Sequence, residues 1–180
     1  MIRIRFSSLA GALGAAALVT STAFAQVPAD PSNPNEAIPE KAAYMPYGEP
    51  IKLADARKAV YAALADAEKR GWPMCIAVVS PSGDLVYFAK MDDCQYASIA
   101  IAQHKAKAAA TFRRPTVVFE RLLGRGPFFS YLTTLDGVIA SRGGNPIVVN
   151  GKIIGAIGVS GGTGSQDDVI SQAGAAAINK

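Results

Sequence analysis

The 180-residue chain carries a formal charge of +4, is 50% hydrophobic and 18% charged, and contains two cysteines and one histidine. That length suits a single domain with a real core, and the apolar fraction excludes a disordered polymer. Two thiols cannot build a four-cysteine zinc framework and one imidazole cannot complete a two-histidine metal site, so any His-centred triad must use His104.

Arg3 and Arg5 precede the apolar run Leu9–Val19, and Ala23-Phe24-Ala25 sets small residues just before Gln26. This is the layout of a secretory signal peptide over residues 1–25; the competing reading is a membrane anchor, for which the run is short. No cysteine lies near the cleavage point, which excludes a lipoprotein. Cleavage of 25 from 180 residues leaves 155, and losing two arginines lowers the charge from +4 to +2. Non-specific nucleic-acid binding needs many clustered cations, so no nucleic-acid partner is expected. The expected location is the periplasm or the exterior, with no membrane attachment after cleavage.

Residues 26–50 read as a Pro-rich linker, with prolines at 28, 31, 34, 39, 46 and 50. It is either a spacer or a partner-binding tail, and Tyr44, Met45 and Tyr47 near its end are candidates to dock on the domain that follows. Residues 52–70 have a helical stripe of Leu53, Ala56, Val60, Leu64 and Ala67, stopped by Gly71 and Pro73. Cys75–Val79 and Asp84–Ala89 flank the Ser80-Pro-Ser-Gly83 turn and predict a β-hairpin. Residues 95–112 form an alanine-rich helix. Stepping 100° per residue puts Lys105 between two alanine-bearing arcs on the inner face and His104 at the border of the polar side.

Pro115 ends that helix, Thr116 opens a short helical segment at 117–123, and 127–135 is ambiguous. Val138–Ala140, Pro146–Val149 and Ile153–Val159 read as three strands, with Asn150-Gly151 a strong hairpin signal. Ser165 is the expected N-cap of a final helix over 166–178. The order predicts an α/β domain of the α+β type over residues 51–180: a five-stranded antiparallel sheet flanked by helices.

Several residues stand out as chemistry. Lys105 faces alanines and must find a carboxylate, a ligand or a route to water, so it either snorkels or serves as an anion holder or amine base. The Ser160–Ser165 loop fits neither the Walker nor the dinucleotide pattern, yet its amides enter a helix. It is either an anion site or a turn demanding glycine. His104 is either a haem or metal ligand, a general base, or a solvated side chain. Arg113 and Arg142 belong to an excess of 15 basic over 10 acidic residues in 51–180, which suits an acidic small ligand or a solvated face. Cys75 and Cys94 flank the hairpin; in an oxidising compartment a bridge between them would contribute about 3 kcal/mol, and otherwise they are two buried thiols.

Four blocks carry a family resemblance. They are Cys75–Val86 with Lys90-Met-Asp92; Ala102-Gln-His-Lys-Ala106 with Ala109 and Phe112; Gly143-Gly-Asn-Pro-Ile147 with Gly151–Gly161; and Gln166-Asp167 with Ala173-Gly174. Together they resemble the GlcG/HbpS-type haem-binding family, also called haem-degrading and related to the C-terminal domain of PduO-type proteins. The resemblance implies a profilin-like domain, homo-oligomeric assembly and a haem cofactor. It maps the family's Lys-Ala lysine to Lys105, its Gly-Gly-x-Pro turn to Gly143, Gly144 and Pro146, and its Gly-Val-Ser-Gly element to Gly158, Val159, Ser160 and Gly161. The following Gln-Asp maps to Gln166 and Asp167. Ser80 and Asp92-Asp93-Cys94 depart from the family pattern, which has Asp after the first strand and Asp-Gly after the methionine. Haem iron ligation by His104 is a reading of this chain's single imidazole and not a family position.

The leading expectation is therefore an exported protein that sequesters, senses or traffics haem. The expected ligand contacts are His104, Lys105, Arg113, Arg142, Gly143, Gly144, Ser160, Gly161 and Asp167. One alternative is an enzyme on a small carboxylate or aromatic catabolite using Lys105, the glycine loop and Asp167. Another is an accessory subunit that acts through the Pro-rich tail.

Overall fold

The computed structural model describes residues 44–180. Its elements are α1 (Leu53–Arg70), β1 (Cys75–Val79), β2 (Leu85–Lys90), α2 (Ala97–Thr111), α3 (Val117–Leu123), a 3₁₀ segment (Pro127–Thr134), β3 (Gly144–Val149), β4 (Lys152–Ser160) and α4 (Gly164–Ala176). The sheet is antiparallel throughout, in the order β2-β1-β4-β3.

Alternation along the central strands sorts the core into two layers. Ile76, Val78, Ile157 and Val159 point to α1 and α4, where they meet Ala56, Val60, Ala63 and Ile170. Cys75, Ala77, Val79 and Ala156 point the other way and meet Ala102, Ala106 and Ala109 of α2. β1 is buried on both faces, which is why it reads as an unbroken apolar run. The α2 layer is thin because its residues are small. A Cβ on Gly158 would run into the Ala102 carbonyl and the Ala106 amide, so the helix backbone lies directly on β4.

The sheet has four strands where five were expected. Val138 and Ala140 do not pair; they pack on a separate small cluster of Phe119, Leu122, Phe129 and Leu132. A short apolar run serves either role, and here the aromatic cluster of α3 and the 3₁₀ segment captures it. Pro146 is tolerated within β3 because that strand is the sheet edge. The Asn150-Gly151 turn holds both residues at positive φ (51° and 72°), the geometry a two-residue hairpin demands.

Two further details differ from the sequence expectation. The buried stripe of α1 runs through Ala56, Ala59, Val60, Ala63 and Ala67, while Leu53 is exposed. It is rotated toward α4, where Gly174 lets the two helices approach at Ala59 and Ala63. The last helix starts at Gly164 and is capped by Thr163, not Ser165: the Thr163 hydroxyl accepts from the Gln166 amide and the Gln166 side chain accepts from the Thr163 amide. No helix among the described residues is long and apolar enough to cross a membrane.

Residues 44–50 pack on the domain. Tyr47 makes a parallel bridge with Ile153 and its hydroxyl donates to the Ala110 and Thr111 carbonyls at the end of α2. The expected signal peptide and most of the expected Pro-rich linker lie outside the described residues.

Candidate functional site

α2 lays Lys105 on its inner face, where alanines on either side bring the helix too close to the sheet for the ammonium to escape. Its Nζ donates to Asp167 Oδ2 at 2.7 Å, and both side chains are almost fully buried. The other carboxylate oxygen accepts from the Gly162 amide at 3.0 Å. Burial pushes the Asp167 carboxyl above the usual carboxylate range, against the pull of Lys105 and of the Gly161 and Gly162 amides. Of the two readings of the glycine loop, the anion that one of them calls for is thus supplied by the chain itself. Thr163 N–H is likewise engaged, by Gln166.

Gly143 sits over this pair at φ +112°, a conformation that disfavours a side chain, and a Cβ there would meet Asp167, the Val159 carbonyl and Lys105. Gly144 lies against the Lys105 carbonyl, and Thr116 clips it from the far side: Gly144 N–H donates to the Thr116 hydroxyl at 3.0 Å and Thr116 N–H donates to the Gly144 carbonyl at 2.9 Å. Thr116 is fully buried. Its tie to β3 was missed in the sequence, where Thr116 reads as the opening of a short helix; no local signal reveals a partner 28 residues away.

A second ion pair lies nearer the surface. Arg142 Nε donates to Glu120 Oε1 at 2.8 Å and Arg142 N–H donates to Glu120 Oε2 at 2.9 Å. These bonds hold the Glu120 carboxyl below its ordinary range, with burial opposing and Lys105 adding a smaller pull. The Arg142 stem packs beside Gly164 at the start of α4. An outer half-exposed pair therefore flanks an inner buried one, and β3, α2, α3 and α4 meet there.

Ser160 lies at the end of β4, its hydroxyl 2.9 Å from that of Ser98, which also accepts from Gln95. Cys75 and Cys94 lie next to it as two buried thiols whose sulfurs are 2.7 Å apart. Burial, followed by the Cys94 hydrogen bond, pushes the Cys75 thiol up to about 12. Among the described residues no three His, Cys, Asp or Glu side chains gather as a metal site.

The structure thus brings Lys105, Gly143, Gly144, Ser160, Gly161 and Asp167 to one end of the sheet, with Arg142 beside them. It places two others elsewhere. His104 is exposed on the outer face of α2, since one residue turns a helix by about 100° from Lys105. Arg113 stacks between Tyr44 and Tyr47, 4.4 and 4.2 Å from their ring centres. Chemically, the Lys105–Asp167 pair ties α2 to α4; an amine this buried and hydrogen-bonded is not presented to a substrate. The outer face of α2, by contrast, presents exposed His104 and Lys107.

Comparison with known proteins bears on what this arrangement serves. A family model described as "Haem degrading protein HbpS-like" matches residues 51–176. Protein GlcG of Escherichia coli K12 is 39% identical over 95 residues, covering 53% of this chain and 69% of GlcG. A 15.0 kDa protein of Citrobacter freundii, from the dhaT–dhaS intergenic region, is 34% identical over 124 residues, 68% of this chain and 87% of that one. Among solved structures, HbpS of Streptomyces reticuli, as a double mutant, aligns with a TM-score of 0.67 at 28% identity, covering 80% of this chain and 97% of HbpS. A PduOC:haem complex aligns with a TM-score of 0.66 at 26% identity, covering 72% of this chain and 96% of that one. The chain belongs to the HbpS-like family and is related to GlcG and to PduO.

Proposed function

We propose that the chain is an exported haem-binding protein that carries haem on the outer face of α2, with His104 as the axial donor. The observation that carries this reading is the family match over 51–176 combined with the likeness to a relative solved with haem. Haem presents a broad apolar plane and two carboxylates, and it needs an axial base. The outer face of α2 fits those needs. Ala97, Ala100, His104, Lys107 and Thr111 are exposed along it and Ile101 is half-buried, so small side chains leave the surface flat beside the imidazole. Tyr96 stands 86% exposed at the helix start, with the Lys90 ammonium 5.8 Å from its ring centre. Lys107, one turn beyond His104, and Lys90 supply cations toward the carboxylates.

Export rests on the features of residues 1–25, and sequestration, sensing or trafficking are the roles that suit a haem carrier outside the cytoplasm. Assembly into a homo-oligomer belongs to the same reading; exposed Phe128 and Tyr131 on the 3₁₀ segment, with Leu135 just after it, offer apolar contact surface for it.

Haemin titration followed by Soret absorbance tests the proposal. Saturable binding with a shifted Soret band is expected, and its absence ends the reading. His104→Ala is expected to shift the spectrum toward that of haemin without a nitrogen ligand. An unchanged spectrum and affinity in that variant would leave haem binding standing and remove His104 as the axial donor. N-terminal sequencing of protein from the periplasmic fraction is expected to begin at Gln26.

A further inference from the structure

Cys75 and Cys94 are separated by 19 residues, yet they meet in the layer between the sheet and α2. Three features bring them together. Cys75 opens β1 opposite Lys90 at the end of β2, with Ser160 opposite it on β4. The chain leaving β2 is tied back to the start of β1, because Met91 N–H donates to the Met74 carbonyl at 3.0 Å. It then reverses through Asp93, held in the left-handed region at φ +63°, and Cys94 N–H donates to the Met91 carbonyl. Cys94 is thereby folded back over Cys75. The other hydrogen-bond partners of its sulfur are the Gln95 and Ser160 carbonyls. Lys90 exerts only a minor pull on Cys75, and among the described residues no metal-binding cluster gathers at the thiols, so the site has the makings of a covalent tie and not of a metal centre.

We propose that Cys75 and Cys94 form an intrachain disulfide that staples the β2–α2 loop, and with it the start of α2, to the central strand β1. The step is thiol–disulfide exchange with an external disulfide, either a small-molecule disulfide or an oxidoreductase of the exported compartment. The Cys94 thiolate, its proton lost to solvent, attacks one sulfur of that disulfide and expels the other half as a thiolate. Cys75 then loses its proton, attacks the Cys94 sulfur and expels the second half. Two protein thiols are oxidised, one external disulfide is reduced to two thiols, and no other reactant is needed. Cys94 attacks first because it lies on the loop, whereas Cys75 is held within a strand between two others.

The consequence is mechanical. Only Gln95 and Tyr96 separate Cys94 from Ala97, the first residue of α2, so the bridge fixes where the outer face of α2 begins without touching it. The proposal does not depend on haem binding, and its readout contains no haem.

The test is a count of thiols on the full-length chain after incubation with glutathione disulfide. The protein is denatured and treated with iodoacetamide, before or after reduction. No labels before reduction and two after it are expected, with a non-reduced peptide map joining the Cys75 and Cys94 peptides in one chain. Two labels before reduction would overturn the proposal, as would a map joining Cys75 of one chain to Cys94 of another. As a second measurement, the thermal midpoint of the wild type is expected to fall when a dithiol reductant is added, and that of the Cys75→Ala/Cys94→Ala variant to stay fixed. Equal responses in the two proteins would also overturn it.

Discussion

A Cβ placed on Gly143 would lie 3.2 Å from the Lys105 ammonium and closer still to Asp167 and the Val159 carbonyl. Gly143 is thus the roof of the buried ion pair, and its positive φ is a condition of that roof. Gly143→Ala combines backbone strain with overpacking and is expected to cost about 2–4 kcal/mol, read as a lower urea midpoint at unchanged slope. An unchanged midpoint would mean that β3 moves freely away from α2.

Lys105→Met leaves the Asp167 carboxylate buried without its cation. Losing one partner of such a pair costs about 3–5 kcal/mol, a large part of a typical domain's stability. Replacing both, as Lys105→Met with Asp167→Leu, is expected to recover more than half of that loss in urea unfolding. If the double variant is as unstable as the two single losses summed, the two groups do not act as a pair.

The two carboxyls of the junction respond to pH in opposite senses. Asp167 is raised in the folded state, so its ionisation term stabilises the fold below the ordinary aspartate range and is lost as pH climbs through the raised value. Glu120 is lowered, so its term is present above the ordinary glutamate range and fades as pH falls through the lowered value. The Arg142 pair is about one-third exposed, which limits its worth to about 0.5–1 kcal/mol. Glu120→Gln is therefore expected to be less stable than wild type by that amount at pH 7, with the gap narrowing as pH falls below the ordinary glutamate range. A gap of constant size across that range would remove Arg142 as the cause.

Tyr47 joins the N-terminal strap to α2. Its hydroxyl serves the Ala110 and Thr111 carbonyls, and its ring and that of Tyr44 enclose Arg113, itself at φ +56°. Tyr47→Phe is expected to cost about 1 kcal/mol. A chain beginning at Tyr44 should keep the thermal midpoint of the longer protein, and one beginning at Ile51 should lose several degrees. Equal midpoints for the two would show the strap to be idle.

What the sequence reveals here is set by the range of the forces involved. The Asn150-Gly151 hairpin and the Gly71 helix stop are local, and they are legible because two or three residues decide them. Lys105 on an alanine face is also legible as an anomaly, since a 3.6-residue period alone places it inward. Its partner is not: Asp167 lies 62 positions away, and only the packed α2 and α4 bring the two together. The same holds for Val138–Ala140, whose strand-like composition is outcompeted by a nearby aromatic cluster that periodicity cannot reveal. Read one residue at a time, the glycine loop suggests an anion site. Once Asp167 is folded beneath it, the Gly162 amide already has its anion.

The outer face of α2 allows a clean separation of binding from folding. Ala100 is exposed, one turn before His104, and touches neither core layer. Ala100→Glu adds a carboxylate to the surface proposed to receive the haem plane, while glutamate is a good helix former and leaves stability within about 0.5 kcal/mol of wild type. Burying that charge beneath an apolar ring is expected to weaken haemin binding by at least about tenfold, or ~1.4 kcal/mol, in the Soret titration. Ala100→Ser, small and neutral, is expected to bind as wild type. If Ala100→Glu binds haemin unchanged while His104→Ala does not, the imidazole is a ligand but the plane lies toward the Thr111 end of the helix. If neither variant differs from wild type, haem sits on another face of the protein altogether.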